Sequence, residues 1–212
     1  MKFKWWGHSC FSITLQKGKT LLTDPYNLEV GYKKIVDEVD IVTISHEHFD
    51  HNTVDQLSSN PALVRELGET EVEGIKIKGV SSYHDAQDGK ERGENRIFVI
   101  DTGEGVICHL GDLGHSLNQK QLNDIGDIDI LLVPVGGHYT IDAGQAYDVV
   151  QQLAVPVIIP MHYKTGVIDF PIKRVEDFIS YFDPEQIVEI NDSKQVIDEL
   201  PEKQQVYLFD YV

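Results

Sequence analysis

Ser45-His46-Glu47-His48-Phe49-Asp50-His51-Asn52 decides how this chain of 212 residues is read. It follows Val39-Asp40-Ile41-Val42-Thr43-Ile44, an apolar, β-branched run that reads as a buried strand. In an extended backbone His46 and His48 point to the same side, so two imidazoles can reach one ion. Asp50 and His51 come after the chain leaves the strand and can face a second position. Asn52 or Thr53 is expected to cap a helix through Leu57, with Asp55 supporting its first turn. Imidazole and carboxylate donors on such a connection suit zinc, manganese or iron. A solvated histidine-rich loop would not need ordered spacing.

Outward from this stretch, the composition narrows the function classes. With 18 basic and 35 acidic side chains the formal net charge is −17, which repels nucleic acid and anionic membrane at long range. An anionic small molecule stays admissible, because a bound cation can dominate the local field. The length and a hydrophobic content of 41% suit one soluble domain over 1–212. The start, Met1-Lys2-Phe3-Lys4-Trp5-Trp6, lacks the apolar core of a signal peptide, and no run approaches the ~18 apolar residues that span a bilayer. Cys10 and Cys108 lie in strand-like contexts and make no disulfide framework. The expectation is a cytoplasmic protein acting on a small molecule, with Trp5 and Trp6 available for a homo-oligomeric interface.

Strands are expected at 3–6, 10–15, 20–23, 75–80, 96–101, 105–110, 128–135, 155–163, 187–190 and 206–211, and helices at 62–67, 118–122, after Asp142, and at 175–182. The runs at 128–135 and 155–163 are apolar enough for a sheet covered on both faces. Polar residues recur where these strands stop. Asp24 closes the third strand, His84 follows the strand at 75–80, Asp112 follows Gly111, and His162 follows Pro160-Met161. His8 sits in the turn Gly7-His8-Ser9, His115 beyond Asp112, His138 after Gly136-Gly137, and Lys164 after Tyr163. The segment 85–95 reads as a mobile edge of a substrate site or a solvated turn. His109, inside a strand, reads as packed or as a support behind the ligands.

The spacing His46-x-His48-x-Asp50-His51, followed by His84, Asp112 and His162, resembles the signature of the metallo-β-lactamase fold superfamily. Gly7-His8-Ser9 and Pro160-Met161-His162-Tyr163 resemble its L-ascorbate-6-phosphate lactonase-like subgroup. The resemblance covers essentially the whole chain and implies an α/β (α+β) fold, a four-layer αββα sandwich. It implies two divalent ions, zinc or manganese, with iron as a third option. His46, His48 and His84 would hold one ion, and Asp50, His51 and His162 the other, with Asp112 bridging and Asp24 buttressing the metal loop. Such a site generates hydroxide near neutral pH, and Asp50 would orient it and carry its proton. His8, His115, His138 and Lys164 are candidates for the substrate side, Lys164 for an anionic group. The implied reaction is hydrolysis of a lactone or phosphate-ester bond. A di-iron redox protein of this fold usually has glutamate where His48 stands, and a non-catalytic metal-binding module is the remaining alternative.

Overall fold

The computed structural model describes residues 1–211. Strands β1 (Lys2–Gly7), β2 (Cys10–Thr14), β3 (Thr20–Thr23), β4 (Ile41–Thr43) and β5 (Ala62–Val64) come first. Next are β6 (Gly68–Val72), β7 (Ile75–Tyr83), β8 (Glu94–Asp101) and β9 (Val106–His109). Helix α1 (Gln119–Ile125), β10 (Ile130–Pro134), α2 (Ala143–Leu153) and β11 (Val157–Met161) follow. The chain closes with α3 (Glu176–Ile179), β12 (Ile187–Glu189), β13 (Lys194–Val196) and β14 (Gln205–Leu208). Two mixed sheets result, ordered β13-β1-β2-β3-β4-β5 and β12-β14-β11-β10-β9-β8-β7-β6.

Period-two patterning explains how the first sheet is buried on both faces. Phe3, Trp5, Phe11, Ile13, Leu21 and Ile41 join the main core shared with the second sheet. Their neighbours Trp6, Cys10, Leu22 and Val42 join a second cluster on the opposite face. That cluster is closed by Tyr26, Val30, Tyr32, Ile35, Ile168 and Ile172, so the outer layer here is irregular chain with one short 3-10 turn, Leu28–Val30. Helices cover only the second sheet. Parallel neighbours β9, β10 and β11 are joined through α1 and α2, and right-handed crossovers put both helices on one face. Helix α2 opens with the expected box: Gln145 N–H donates to Asp142 Oδ1 (2.9 Å) and Asp142 N–H to Gln145 Oε1 (3.0 Å).

Several local expectations give way to tertiary contacts. Residues 52–57 form turns, not a helix, because Thr53 N–H is drawn to Pro25 O (2.8 Å) and the Asn52 amide donates to Glu47 (3.2 Å). The helix expected at 62–67 is instead β5, a parallel partner of β4, with Ala62 N–H on Asp40 O (2.8 Å) and Ile44 N–H on Val64 O (3.0 Å). Sheet pairing overrides a weak propensity there. The helix expected at 175–182 shortens to α3, after which Tyr181 and Phe182 N–H reach back three residues (3.2 and 3.1 Å). Trp5 and Trp6 are buried, on opposite faces of the first sheet, and offer no surface to a partner. Both cysteines are buried and unpaired. Among the described residues no helix is long and apolar enough to cross a membrane.

Candidate metal centre

The chain leaves β4, β7, β9 and β11 toward one place, and each exit carries polar side chains. His46, His48, Asp50 and His51 follow β4; His84 follows β7; Asp112 follows β9; His162 follows β11. The turn between β1 and β2 adds His8. The focus is Asp112 Oδ2, which lies 3.1 Å from His84 Nε2, 3.2 Å from His162 Nε2, 3.4 Å from His51 Nε2 and 4.0 Å from His46 Nε2. Two triads of imidazoles, His46-His48-His84 and His8-His51-His162, each bring ring nitrogens within 4.8 Å of one another.

Tautomers are set from behind. Asp24, fully buried, accepts from Ser45 N–H (2.8 Å), Ser45 Oγ–H (2.5 Å) and His51 Nδ1–H (2.9 Å). A carboxylate only accepts, so His51 keeps its lone pair on Nε2. Ser45 Oγ–H donates to Asp24, so its oxygen accepts from His46 Nδ1–H (2.9 Å), and His46 too presents a bare Nε2. His84 Nδ1–H donates to Tyr139 O (3.1 Å) with the same result. His46 Nε2, His51 Nε2 and Asp112 Oδ1 are buried without any hydrogen-bond partner. Orphaned lone pairs of this kind are costly in an interior, and a divalent cation satisfies them. The donor set therefore fits a metal, and Asp24 hydrogen-bonds His51 and Ser45 from behind it.

The electrostatics differ between the rings: against the downward push of burial, Asp112 and Asp50 raise the His51 imidazole well above its ordinary value, and Asp112 raises that of His84. Burial, with His51 alongside, holds His46 well below the ordinary imidazole value, so the ring is neutral and can ligate. Burial opposes the charge on Asp112, yet the imidazoles of His162 and His51 hold its carboxyl well below the usual range. Asp112 is aimed by its backbone: its N–H donates to Asn95 Oδ1 (2.9 Å), while Asn95 Nδ2 donates to Ser82 Oγ (2.7 Å) and Leu110 O (2.9 Å). Gly111 precedes it at φ +55°, where a Cβ would lie 2.3 Å from Asn95 Oδ1 and 2.6 Å from the Ser45 side chain.

A cleft of about 360 Å³ opens over the cluster, lined by His48, Phe49, Asp50, His84, Arg92, Asp112, Tyr139, His162 and Phe170. Of the substrate-side candidates only His8 joins the cluster, beneath Asp50, whose Oδ2 accepts from His8 Nε2–H at 3.2 Å. His138 is exposed, its ring set edge-on against Tyr139. Lys164 turns away to Phe170 O (2.9 Å) and Asp169 (3.4 Å). His115 has both nitrogens engaged, accepting from Tyr83 N–H (3.1 Å) and donating to Ser116 O (2.9 Å). His109 is packed as expected, donating to Ser9 O (2.9 Å) and accepting from Gly111 N–H (3.1 Å). Arg92, Tyr139 and Phe170 carried no motif in the sequence and are brought to the cleft by folding alone, whereas Phe49 comes with the histidine-rich stretch itself. Segment 85–95 is not a loose edge. Asp85 accepts from the N–H groups of Gln87 (2.7 Å), Gly89 (3.0 Å), Glu91 (3.0 Å) and Arg92 (2.8 Å). Against the upward push of burial, these donors hold its carboxyl at about 2.

A two-sheet sandwich with histidines and aspartates converging at strand ends defines a metallohydrolase-type scaffold. Residues 2–162 match the family described as the Beta-lactamase superfamily domain. A UPF0173 metal-dependent hydrolase of Thermoplasma volcanium is 32% identical over 191 residues, covering 78% of this chain and 84% of that protein. The crystal structure of a proposed zinc-dependent hydrolase of the metallo-β-lactamase superfamily from Thermotoga maritima superposes with a TM-score of 0.83. It is 37% identical, over 98% of this chain and 97% of the other. A metallo hydrolase of Ignicoccus hospitalis shares the fold at 20% identity, with a TM-score of 0.64 over 85% of this chain and 89% of its own. The chain belongs to the metallo-β-lactamase superfamily, in the group of UPF0173 metal-dependent hydrolases.

Proposed function

We propose that the protein hydrolyses a lactone or phosphate-ester bond in a small molecule at a site for two divalent cations, zinc or manganese. His46, His48 and His84 would hold one, Asp50, His51 and His162 the other, and Asp112 would be shared. The observation that carries this reading is the convergence of four imidazole Nε2 atoms on one oxygen of Asp112, with the lone pairs of His46 and His51 unmet by any protein donor. When bound, such a pair of cations lowers the pKa of water and stabilises negative charge developing on the substrate.

The chain's own residues supply the rest. Asp50 faces the cleft with its Oδ2 held by His8, leaving Oδ1 to orient water and take up its proton. Phe49, Tyr139 and Phe170 give the cleft apolar walls that limit water, and its volume suits a small molecule. Arg92 places a guanidinium at the wall, 5.7 Å from the Tyr139 ring, and its backbone is fixed by Asp85. With a surface of net charge −17, this cation gives an anionic or strongly polar substrate group a local partner.

Metal content by plasma emission, on protein purified without chelating resin, tests the reading together with a screen of lactones and phosphodiesters. Close to two equivalents of zinc or manganese, with hydrolysis abolished by His48→Ala, is the expected result. Two equivalents of iron with turnover of oxygen or nitric oxide would replace it with the redox reading. No metal after reconstitution would leave a non-hydrolytic protein.

A further inference from the structure

His8 stands outside the set of ligands carried by the histidine-rich stretch, yet it is the residue that completes the buried half of the cluster. Resting on the dinuclear reading above, we propose that His8 is itself a ligand of the second cation position, which then has three histidines, His8, His51 and His162, beside Asp50 and Asp112.

Four observations converge. The ring is fully buried, 4.1 Å from the His162 ring and 5.0 Å from that of His51, centroid to centroid. The three residues place ring nitrogens within 4.8 Å of one another, the same closeness shown by His46, His48 and His84. Among the described residues the imidazole has a single hydrogen-bonding contact, Nε2 to Asp50 Oδ2 at 3.2 Å, and its Nδ1 has no partner. A histidine buried for structure alone looks like His109, with both nitrogens bonded. The 3.2 Å separation from Asp50 is also that of two donors on one cation, which would replace the proton now shared between Nε2 and Asp50, since bonds of about 2.1 Å at square to tetrahedral angles put donor atoms about 3.0–3.4 Å apart.

The backbone points the same way. His8 adopts φ +52°, a left-handed conformation that a non-glycine residue holds only when its surroundings impose it. Two donors impose it: Trp5 Nε1–H (3.1 Å) and His162 N–H (3.2 Å) both reach the His8 carbonyl. His162 has the same φ of +52°. Two strained histidines are thus tied to each other through the main chain, with their imidazoles turned to a common point.

Cobalt(II) is the probe. The full chain, His8→Ala and His8→Gln are loaded with cobalt(II), and bound equivalents, the affinity for each equivalent and the visible d–d spectrum are measured. The glutamine amide preserves a hydrogen bond to Asp50 but is a poor ligand. The expected result is two equivalents for the native chain and retention of the first by both variants, which also reports that they fold. The second should weaken at least about tenfold, with a changed spectrum. Should His8→Gln keep two equivalents with native affinity and spectrum, His8 only positions Asp50 and the proposal falls. Should the native chain bind fewer than two, the dinuclear reading fails and takes this one with it.

Discussion

The two triads of imidazoles are built differently. In the first, His48 is exposed while His46 and His84 are 3% exposed each, and His48 and His84 line the cleft. His8, His51 and His162 are all buried, at 0%, 0% and 1% exposure, with His162 reaching the cleft, and two of them stand in the left-handed region. The open triad takes two of its members, His46 and His48, from one short run of bends after β4. The buried one is gathered from residues 8, 51 and 162 and held by main-chain hydrogen bonds between distant turns. The first triad is therefore the more open, through His48, and partly local in sequence, whereas the second is the more buried and is assembled by the fold.

The strongest way to break this asymmetry is to remove what both ends share. Asp112→Asn should lower kcat/KM by on the order of 10³-fold, since a shared carboxylate supports several kcal/mol of charge stabilisation, and should weaken retention of both cations. Activity and metal content measured together check it. Asp24→Asn probes both ends from behind, through His51 directly and through Ser45 to His46. Metal affinity should fall about 10–100-fold. In the native chain a chelator should strip the more open position first and the more buried one in a slower phase, read by cobalt(II) absorbance. A single phase would erase the distinction.

Smaller effects are expected at the rim. Asp85→Asn removes the charge that gathers four N–H groups under Arg92, and should lower stability by about 1–3 kcal/mol in a denaturant titration. The sign follows from the lowered pKa. The carboxyl titrates at about 2 in the fold and near ~3.9 when unfolded, so its contribution is complete above the unfolded value and lost as pH falls from about 4 towards 2. Below that window native and Asp85→Asn chains should converge. His138→Ala, on an exposed ring, should shift kcat/KM by no more than about twofold.

What was legible in the sequence follows the length scale of the cause. His46, His48, Asp50 and His51 declare themselves through strand periodicity and the break that follows, both short-range. Capping of α2 by Asp142 and Gln145 is equally local. Helices expected at 52–57 and 62–67 failed because Pro25, Asp40 and Ile44, distant in the chain, claim those backbone groups. Lys164 was expected in the cleft on its nearness to His162, but the strand ends at Met161 and the next turn carries the ammonium to the Phe170 carbonyl. Arg92 and Tyr139 had no signal, because a lone arginine or tyrosine in a polar loop has no period or spacing to mark it.

By itself, then, the sequence marked the candidate donors after β4 and at the strand ends, because their spacing within a short stretch and their place after apolar runs are local features. Only the tertiary structure decided which nitrogen His46, His51 and His84 turn inward, and that His8 belongs to the cluster while His115, His138 and Lys164 do not. Those outcomes depend on hydrogen bonds and packing between segments far apart in the chain, whose geometry exists only once the two sheets have closed on each other.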